Sequence, residues 1–375
     1  MKDFYSTLFE GSAVSNLIPK ANIPISISDR SKNPLSHVQT TLNEEVIGQN
    51  LAVDSILKAL MRASTGFRDE EKPIATLFFS GPSGVGKTET VRALAKALHN
   101  DPKACLKIDC SEYAEGHTIS KLIGSPPGYV GSDLPAVLAK DKIENRNWNI
   151  VLFDEIEKGH ASLHNLLLQI MDEGVVTLTR RSKTEDPKVK FSSTLLVMTS
   201  NVGSRTVSEV LDDQSIGFKK KENRQALTQL VNQEVQREIE KTFSPEFRNR
   251  ITDFVVFHPL SHESLLMVLE KYLRQIISRC ASKGFAVHLT DRVKEFLISQ
   301  GTNIDLGARP LLHLVEKEVE AKIAEFYAMG EIQPGDYIVG DLSGTNLVFN
   351  RAERVSITVK ADFLPLDQKK SKIIH

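Results

Sequence analysis

The chain has 375 residues, 41% of them hydrophobic and 25% charged, which is typical of a soluble globular protein long enough for two domains. Its formal net charge of -1 disfavours nucleic acid and anionic membranes as partners, because the chain has no basic field to attract them. No apolar run approaches the roughly 20 residues that span a bilayer and no signal core opens the sequence, so we expect a cytoplasmic protein without a membrane partner.

Residues 1–41 carry scattered apolar side chains without a helical period, and we predict an N-terminal extension. A flexible leader and a segment that docks a neighbour are both open interpretations. Beyond it, Asn43 is predicted to cap a helix, residues 46–49 to form a turn, and residues 51–63 to form a helix before the first core strand.

A glycine-rich segment follows the apolar run 75–79 and fits the pattern G-x-x-x-x-G-K-[ST]. Its residues are Gly81, Pro82, Ser83, Gly84, Val85, Gly86, Lys87 and Thr88. Glycines let the backbone wrap around a polyphosphate, and amide groups at a helix N-terminus bind its oxygens. Lys87 would reach the β- and γ-phosphates and Thr88 would hold Mg²⁺. A tight turn without a ligand is the alternative for this segment alone.

A second segment of the same type of site comes about seventy residues later. Residues 150–153 are apolar and are followed by Asp154 and Glu155, as in a buried strand with carboxylates at its carboxyl end. Asp154 is the expected Mg²⁺ partner, and Glu155 the carboxylate that polarises the attacking water. Together the two segments predict hydrolysis of a nucleoside triphosphate.

The elements around these segments alternate between strands and helices. Predicted strands are 75–79, 106–109, 150–153, 194–198 and 253–257, with helices at 88–98, from 120, around 163–171, and at 225–242. This alternation predicts an α/β fold whose largely parallel sheet has helices on both faces, over residues 42–258. A hairpin is expected between residues 175–179 and 188–191.

Two loops contain apolar residues in polar surroundings. Tyr129 and Val130 lie between prolines and glycines, and the ring is either exposed or folded back on its own loop. Ile216, Gly217 and Phe218 lie inside the polar stretch 204–224, where they could pin the loop to the surface or dock a partner.

A second, mainly helical domain is predicted over residues 259–351. Its helices are expected at 264–280, 290–300 and 311–329, and its strands at 336–339 and 347–350. Residues 352–375 form a tail with a candidate strand at 355–359 and a run of lysines. The three cysteines lack metal-ligand spacing and are interpreted as reduced structural thiols.

With these stretches in view, the chain resembles the Clp branch of the AAA+ ATPases, in particular the second ring-forming module of ClpA and ClpB, over residues 42–350. The resemblance rests on both nucleotide segments and on five further stretches. Those stretches are 111–113 with 117–118, 122–131, 198–201, 245–251 and 307–310. It implies an AAA+ P-loop fold with a small Clp-type C-terminal domain, and a homo-oligomeric ring, usually of six subunits, that uses ATP to pull protein substrates through a pore.

The resemblance also implies roles for single residues. Residues 199–201 would be the first sensor, with Asn201 positioning water near the γ-phosphate. Arg250 would be an arginine finger acting on the neighbouring subunit, and Arg309 the second sensor. Further matches are the adenine contacts Val46 and Ile47, the pore-loop residues Tyr129 and Val130, and the protease-docking tripeptide Ile216, Gly217 and Phe218, which favours ClpA and a ClpP-like peptidase partner. Arg248 is instead expected to form an ordinary ion pair.

Departures from the family pattern leave alternatives open. The sequence has one ATPase module, and neither a coiled-coil insertion nor an N-terminal substrate domain is recognisable. Residues 132–135 replace the acidic and glycine residues that usually continue the pore loop, and the hairpin is longer than in relatives. The alternatives are a disaggregase or remodelling factor without a protease, a nucleotide-operated clamp or scaffold, and a nucleic-acid motor.

Overall fold

A parallel sheet organises the larger part of the chain in the computed structural model, which describes residues 35–126, 134–179, 186–204, 224–302 and 306–352. Its strands are β1 (Ala75–Ser80), β2 (Leu106–Asp109), β3 (Asn149–Asp154), β6 (Thr194–Ser200) and β7 (Asp253–Val256). Among the described residues they run parallel in the order β2-β3-β6-β1-β7. The predicted parallel sheet is therefore confirmed.

The central strands of this sheet are covered on both faces. Every residue of β1 and β6 is buried, which explains why these segments read as continuous apolar runs and not as alternating patterns. The α-helices among the described residues of this part are α1 (Ser36–Glu45), α2 (Asn50–Ser64), α3 (Lys87–His99), α4 (Ser120–Ile123), α5 (Lys140–Ile143), α6 (Ala161–Glu173), α7 (Arg224–Thr242) and α8 (Pro245–Arg248). The predicted hairpin is confirmed as the antiparallel pair β4 (Val175–Thr177) and β5 (Lys188–Lys190).

The start of the large domain differs from the expectation. Asn43 does not cap a helix, because it lies inside α1, and α2 is instead preceded by Gln49. Val38 and Leu42 are one helical turn apart and both buried, so packing extends the helix back across residue 41. The helical segment predicted from residue 120 is a single turn.

A second hydrophobic core follows from residue 260 onward. It is built by α9 (His262–Ser282), β8 (Ala286–Leu289), α10 (Asp291–Gly301), α11 (Arg309–Val315), a π-helical turn (Glu316–Glu320), α12 (Ala321–Ala328), β9 (Tyr337–Ser343) and β10 (Asn346–Ala352). In the described part of the chain, β9 pairs antiparallel with β10 and parallel with β8. The sequence reading missed β8, although its residues alternate between exposed and buried as a half-buried strand should.

All three cysteines lie in the described residues, and none is disulfide-bonded. Burial raises the pKa of the Cys105 thiol to about 11 and raises the pKa of Cys110 and Cys280 as well. These thiols are therefore poor nucleophiles, in agreement with the predicted structural role.

Candidate active site

A cleft of about 580 Å³ lies beside the carboxyl ends of β1, β3 and β6, between the large sheet and helices α9 and α11. Among its lining residues are Val46, Ile47, Gln49, residues 83–90, Lys107, Asp154, Glu155, Thr199, Asn201, Lys271, Tyr272 and Arg309. The cleft thus brings together most of the residues predicted for the nucleotide site, although they are distant in sequence. It also contains residues that were not predicted, among them Gln49, Lys107 and Lys271, whereas the predicted Gly81 and Pro82 are not part of its lining.

The glycine-rich segment forms the loop between β1 and α3. Gly81 has φ +149°, and a Cβ there would lie 2.4 Å from the Phe257 carbonyl oxygen. Gly86 has φ +104° and directly precedes α3, which begins at Lys87. Helix α3 therefore begins in the cleft lining, and the first amides of a helix, which have no partner inside the helix, are the groups that bind anions.

Lys87 is buried, with 8% of its surface exposed. Its Nζ donates to the carbonyls of Gly81 at 2.6 Å and Pro82 at 2.7 Å, and to Asn201 Oδ1 at 2.9 Å. Burial lowers the pKa of Lys87 to about 8, against the opposing effect of nearby carboxylates such as Glu157 and Asp154. An anionic ligand would favour the charged form of this amine.

Asp154 ends β3 with oxygen donors around it. Its Oδ1 accepts from Thr88 Oγ1 at 3.4 Å and from the hydroxyl of Thr199, while Oδ2 lies 2.7 Å from Lys107 Nζ. A hydroxyl next to a carboxylate suits Mg²⁺, which prefers oxygen ligands and keeps much of its shell for water and phosphate. Within the described residues no group of three or more His, Cys, Asp or Glu could hold a metal by itself. Thr88 and Asp154, a hydroxyl beside a carboxylate, fit the predicted Mg²⁺ site by the chemistry of their oxygens.

Glu155 adopts a left-handed conformation, with φ 56° and ψ 51°. Its carboxylate accepts from Lys158 Nζ at 2.5 Å and from Asn201 Nδ2 at 3.4 Å, and its backbone N–H donates to Thr199 Oγ1 at 3.1 Å. Asn201 therefore joins Glu155 to Lys87 through its two amide atoms. The first-sensor role of Asn201 stays a prediction.

Arg309 reaches the same cleft from the second core, as the first residue of α11. Ala308 N donates to the Gly84 carbonyl at 3.0 Å, and Gly307 is so close that a Cβ there would lie 2.6 Å from Gly84 backbone. The N-terminus of α11 therefore touches the phosphate loop directly.

Arg250 is not among the residues that line this chain's own cleft. Its Nε lies 2.5 Å from Asp172 Oδ2, and its other nitrogens contact Glu246 through the carbonyl at 2.8 Å and the carboxylate at 3.2 Å. Arg248 pairs with Glu240 at 3.2 Å, which confirms the ordinary ion pair expected for it.

The side of the cleft near Val46 and Ile47 is held by polar contacts that the sequence analysis missed. Gln49, 3% exposed, donates from Nε2 to Val85 O at 3.3 Å and His258 O at 2.8 Å, and accepts from His258 N at 3.2 Å. The sequence held one signal for this contact, because Gln49 is a polar residue that closely follows the predicted adenine contacts Val46 and Ile47.

A charged cluster lies beside Gln49. Glu45 accepts from Lys96 at 2.5 Å and from Lys271, which also donates to the Glu45 carbonyl at 2.9 Å. Burial opposes ionisation of Glu45, but the two lysines outweigh it and hold its pKa below the ordinary value.

Lys107 is another site residue that was not predicted. It lies in β2, which was predicted as a strand and pairs with β3, and its Nζ contacts Asp154.

Five predicted site residues lie outside the described residues. They are Tyr129, Val130, Ile216, Gly217 and Phe218.

For the part of the chain that is described, no helix has both the length and the apolar character needed to cross a bilayer.

Comparison with known proteins identifies relatives of both parts of the chain. The family model of the AAA domain (Cdc48 subfamily) matches residues 72–254, and that of the C-terminal, D2-small domain of ClpB protein matches residues 260–339. ATP-dependent Clp protease ATP-binding subunit ClpC of Staphylococcus aureus (strain USA300) is 36% identical over 337 residues, which are 90% of this chain and 40% of that protein. The ClpA homolog of Cyanidium caldarium is 38% identical over 336 residues, 88% of this chain and 38% of that protein. The chain thus spans about two fifths of the length of these relatives.

Proposed function

Because the chain belongs to the Clp branch of the AAA+ ATPases, we propose that it binds ATP with Mg²⁺ in the cleft described above and hydrolyses it. The observation that carries the proposal is that one cleft contains the phosphate loop, Asp154, Glu155, Asn201 and Arg309. These are a phosphate cradle, a metal ligand, a base and two charge or water contacts, which together are the parts of a phosphoryl-transfer site.

The proposed chemistry assigns one task to each group. Thr88 and Asp154 would hold Mg²⁺, and the bound ion would supply neutralisation of phosphate charge and polarisation of the phosphoryl group. Lys87 exchanges its bonds to loop carbonyls for phosphate oxygens. Glu155 leaves Lys158 and accepts the proton of the attacking water, which the Asn201 amide orients.

The test of this step is Glu155→Gln, which keeps shape and removes the base. Turnover should fall roughly 10²–10⁴-fold while nucleotide affinity is retained, because the phosphate and metal contacts remain. Glu112→Gln is the matched control, since Glu112 is exposed and does not line the cleft. Unchanged steady-state hydrolysis in the Glu155 variant would refute the assignment.

We further propose that six subunits form a ring that threads polypeptide through its pore, as a cytoplasmic unfoldase. In this proposal Tyr129 and Val130 grip the substrate, and Arg250 completes the site of the neighbouring subunit. Arg250 does not line its own cleft, as an action in trans requires, and it would have to leave Asp172 and Glu246 to reach the neighbouring subunit. Free thiols support the reducing compartment.

The proposed partner is a ClpP-like peptidase, docked by Ile216, Gly217 and Phe218. The relatives compared above are named as ATP-binding subunits of an ATP-dependent Clp protease, which supports this choice. Six weak loops that engage together would bind strongly, since each bound loop raises the effective concentration of the next. A disaggregase without a protease and a nucleotide-operated scaffold are the competing functions.

The deciding experiment is ATP-dependent unfolding of a tagged model protein, with and without the peptidase. Tyr129→Ala should keep ATPase activity and lose unfolding, whereas Phe218→Ala should keep both and lose degradation. Hydrolysis without any unfolding would favour the scaffold, and unfolding without peptidase association would favour the disaggregase.

A further inference from the structure

Thr199 lies at the carboxyl end of the central strand β6, opposite Phe79 of β1, and only 1% of its surface is exposed. Its hydroxyl makes two contacts across to the end of β3. It donates its proton to Asp154 Oδ1 and accepts the backbone N–H of Glu155 at 3.1 Å. One side chain thus contacts both residues to which the proposed hydrolysis assigns the metal and the base.

The contact with Glu155 occurs where the sheet pairing stops. The register between β3 and β6 ends at Phe153 and Met198, and Glu155 then turns into the left-handed region with φ 56°. A residue with a Cβ is strained in that region, and such conformations persist where the surroundings hold them. The Thr199 hydroxyl supplies a hydrogen bond to the Glu155 N–H at this turn, where a sheet neighbour no longer does.

We propose that Thr199 is a positioning residue for ATP hydrolysis, whose hydroxyl fixes the Asp154 carboxylate and the Glu155 backbone relative to each other. This inference rests on the proposed ATPase function. The Thr199 hydroxyl has a single proton, which it donates in the hydrogen bond to Asp154. A lone pair of the hydroxyl oxygen is therefore available to accept the Glu155 N–H. A side chain of the same shape without the hydroxyl keeps the packing and loses both contacts.

The same strand provides a matched control. Thr194 begins β6 and is fully buried, but its Oγ1 has no hydrogen-bond partner among the described residues. Thr194→Val therefore makes the same chemical change in the same strand without removing a contact to the site. Thr199→Ser keeps the hydroxyl and removes a methyl group.

The experiment compares full-length Thr199→Val, Thr199→Ser and Thr194→Val with the wild-type chain. Thr199→Val should lower kcat about 10–100-fold, the usual effect of losing a group that orients a metal ligand. The KM for ATP should change little, because Lys87 and the loop amides still hold the phosphates. Thr199→Ser should restore most of kcat, and Thr194→Val should match the wild type.

A second readout does not depend on turnover. Affinity for a fluorescent ADP analogue is measured with Mg²⁺ and with chelator. In Thr199→Val the gain of affinity that Mg²⁺ produces should shrink, while affinity in chelator stays at the wild-type value. Chelator affinity that falls equally in both valine variants would overturn the proposal, since it would indicate a general packing defect. Wild-type kcat and wild-type Mg²⁺ dependence in Thr199→Val would also overturn it.

ATP hydrolysis by the chain and the positioning of Asp154 by Thr199 are tested separately. If the wild-type chain binds Mg²⁺ and nucleotide but does not hydrolyse ATP, the proposed function fails. The Mg²⁺ dependence of binding in the Thr199 variants then still supports or overturns the positioning of Asp154 by Thr199.

Discussion

Replacing Gly84 with alanine tests the direct contact between the phosphate loop and the N-terminus of α11. Gly84 occupies a variable position of the loop pattern, so the pattern alone predicts that alanine is tolerated. The structure predicts the opposite. At Gly84 φ is +70°, and an added Cβ would lie 2.1 Å from the carbonyl oxygen of Leu306 and 3.1 Å from Arg309 N.

An alanine at position 84 loses unfolding free energy for two reasons, its backbone conformation and its clash with neighbouring backbone. A substitution at a second glycine, Gly66, measures the first of these alone. The left-handed conformation costs an alanine about 1–2 kcal/mol, and overpacking against backbone adds about 1–3 kcal/mol. Gly66, in the loop after α2, has φ +74° but nothing within 4 Å of an added Cβ. Gly66→Ala therefore carries the conformational cost without the clash.

The assay combines denaturant unfolding with steady-state ATP turnover. Gly84→Ala should lose more unfolding free energy than Gly66→Ala, and it should also lose turnover, because relief of the clash moves Arg309 away from the loop. Gly66→Ala should keep wild-type turnover. If Gly84→Ala and Gly66→Ala lose the same unfolding free energy and have the same turnover, the contact at Gly84 does not fix the position of α11 against the phosphate loop.

Three further predictions concern charge. Because the pKa of Lys87 is about 8, the amine loses its proton above that pH, so nucleotide affinity should fall as pH rises through about 8 and calorimetry should detect proton uptake on binding. Mixing Arg250→Ala with Glu155→Gln subunits should restore activity that neither has alone; activity per subunit that persists in dilute monomers would contradict the trans role. Glu45 has a lowered pKa, so its contribution to stability is present above the ordinary carboxyl pKa and lost as pH falls through the lower folded value. Glu45→Gln should therefore flatten the acid limb of the stability profile.

The phosphate loop and the strand before Asp154 were predictable because their chemistry is local. A polyphosphate requires glycines, a lysine and a hydroxyl within eight residues, and a buried parallel strand requires a continuous apolar run. Both requirements leave a record in a short stretch of sequence. The predicted bounds of β2 and the order of strands and helices followed for the same reason.

Contacts between distant segments left no such record. Lys107 meets Asp154, and Gln49 meets His258, only because the sheet order and the chain path bring them together. The wrong cap at Asn43 has the same origin, since burial of Val38 and Leu42 outweighed a local preference. The contacts of Arg250 with Asp172 likewise could not be inferred from spacing.

The Gln49 amide has a mechanical consequence for any motion between the two cores. It holds His258 at both its N–H and its carbonyl and holds Val85 at the same time, much as a neighbouring strand would. The chain up to His258 is thereby anchored to the nucleotide loop, and Pro259 next in sequence has a fixed φ. On this side of the cleft, any change in the angle between the two cores would therefore fall on the few backbone bonds between Pro259 and the start of α9 at His262.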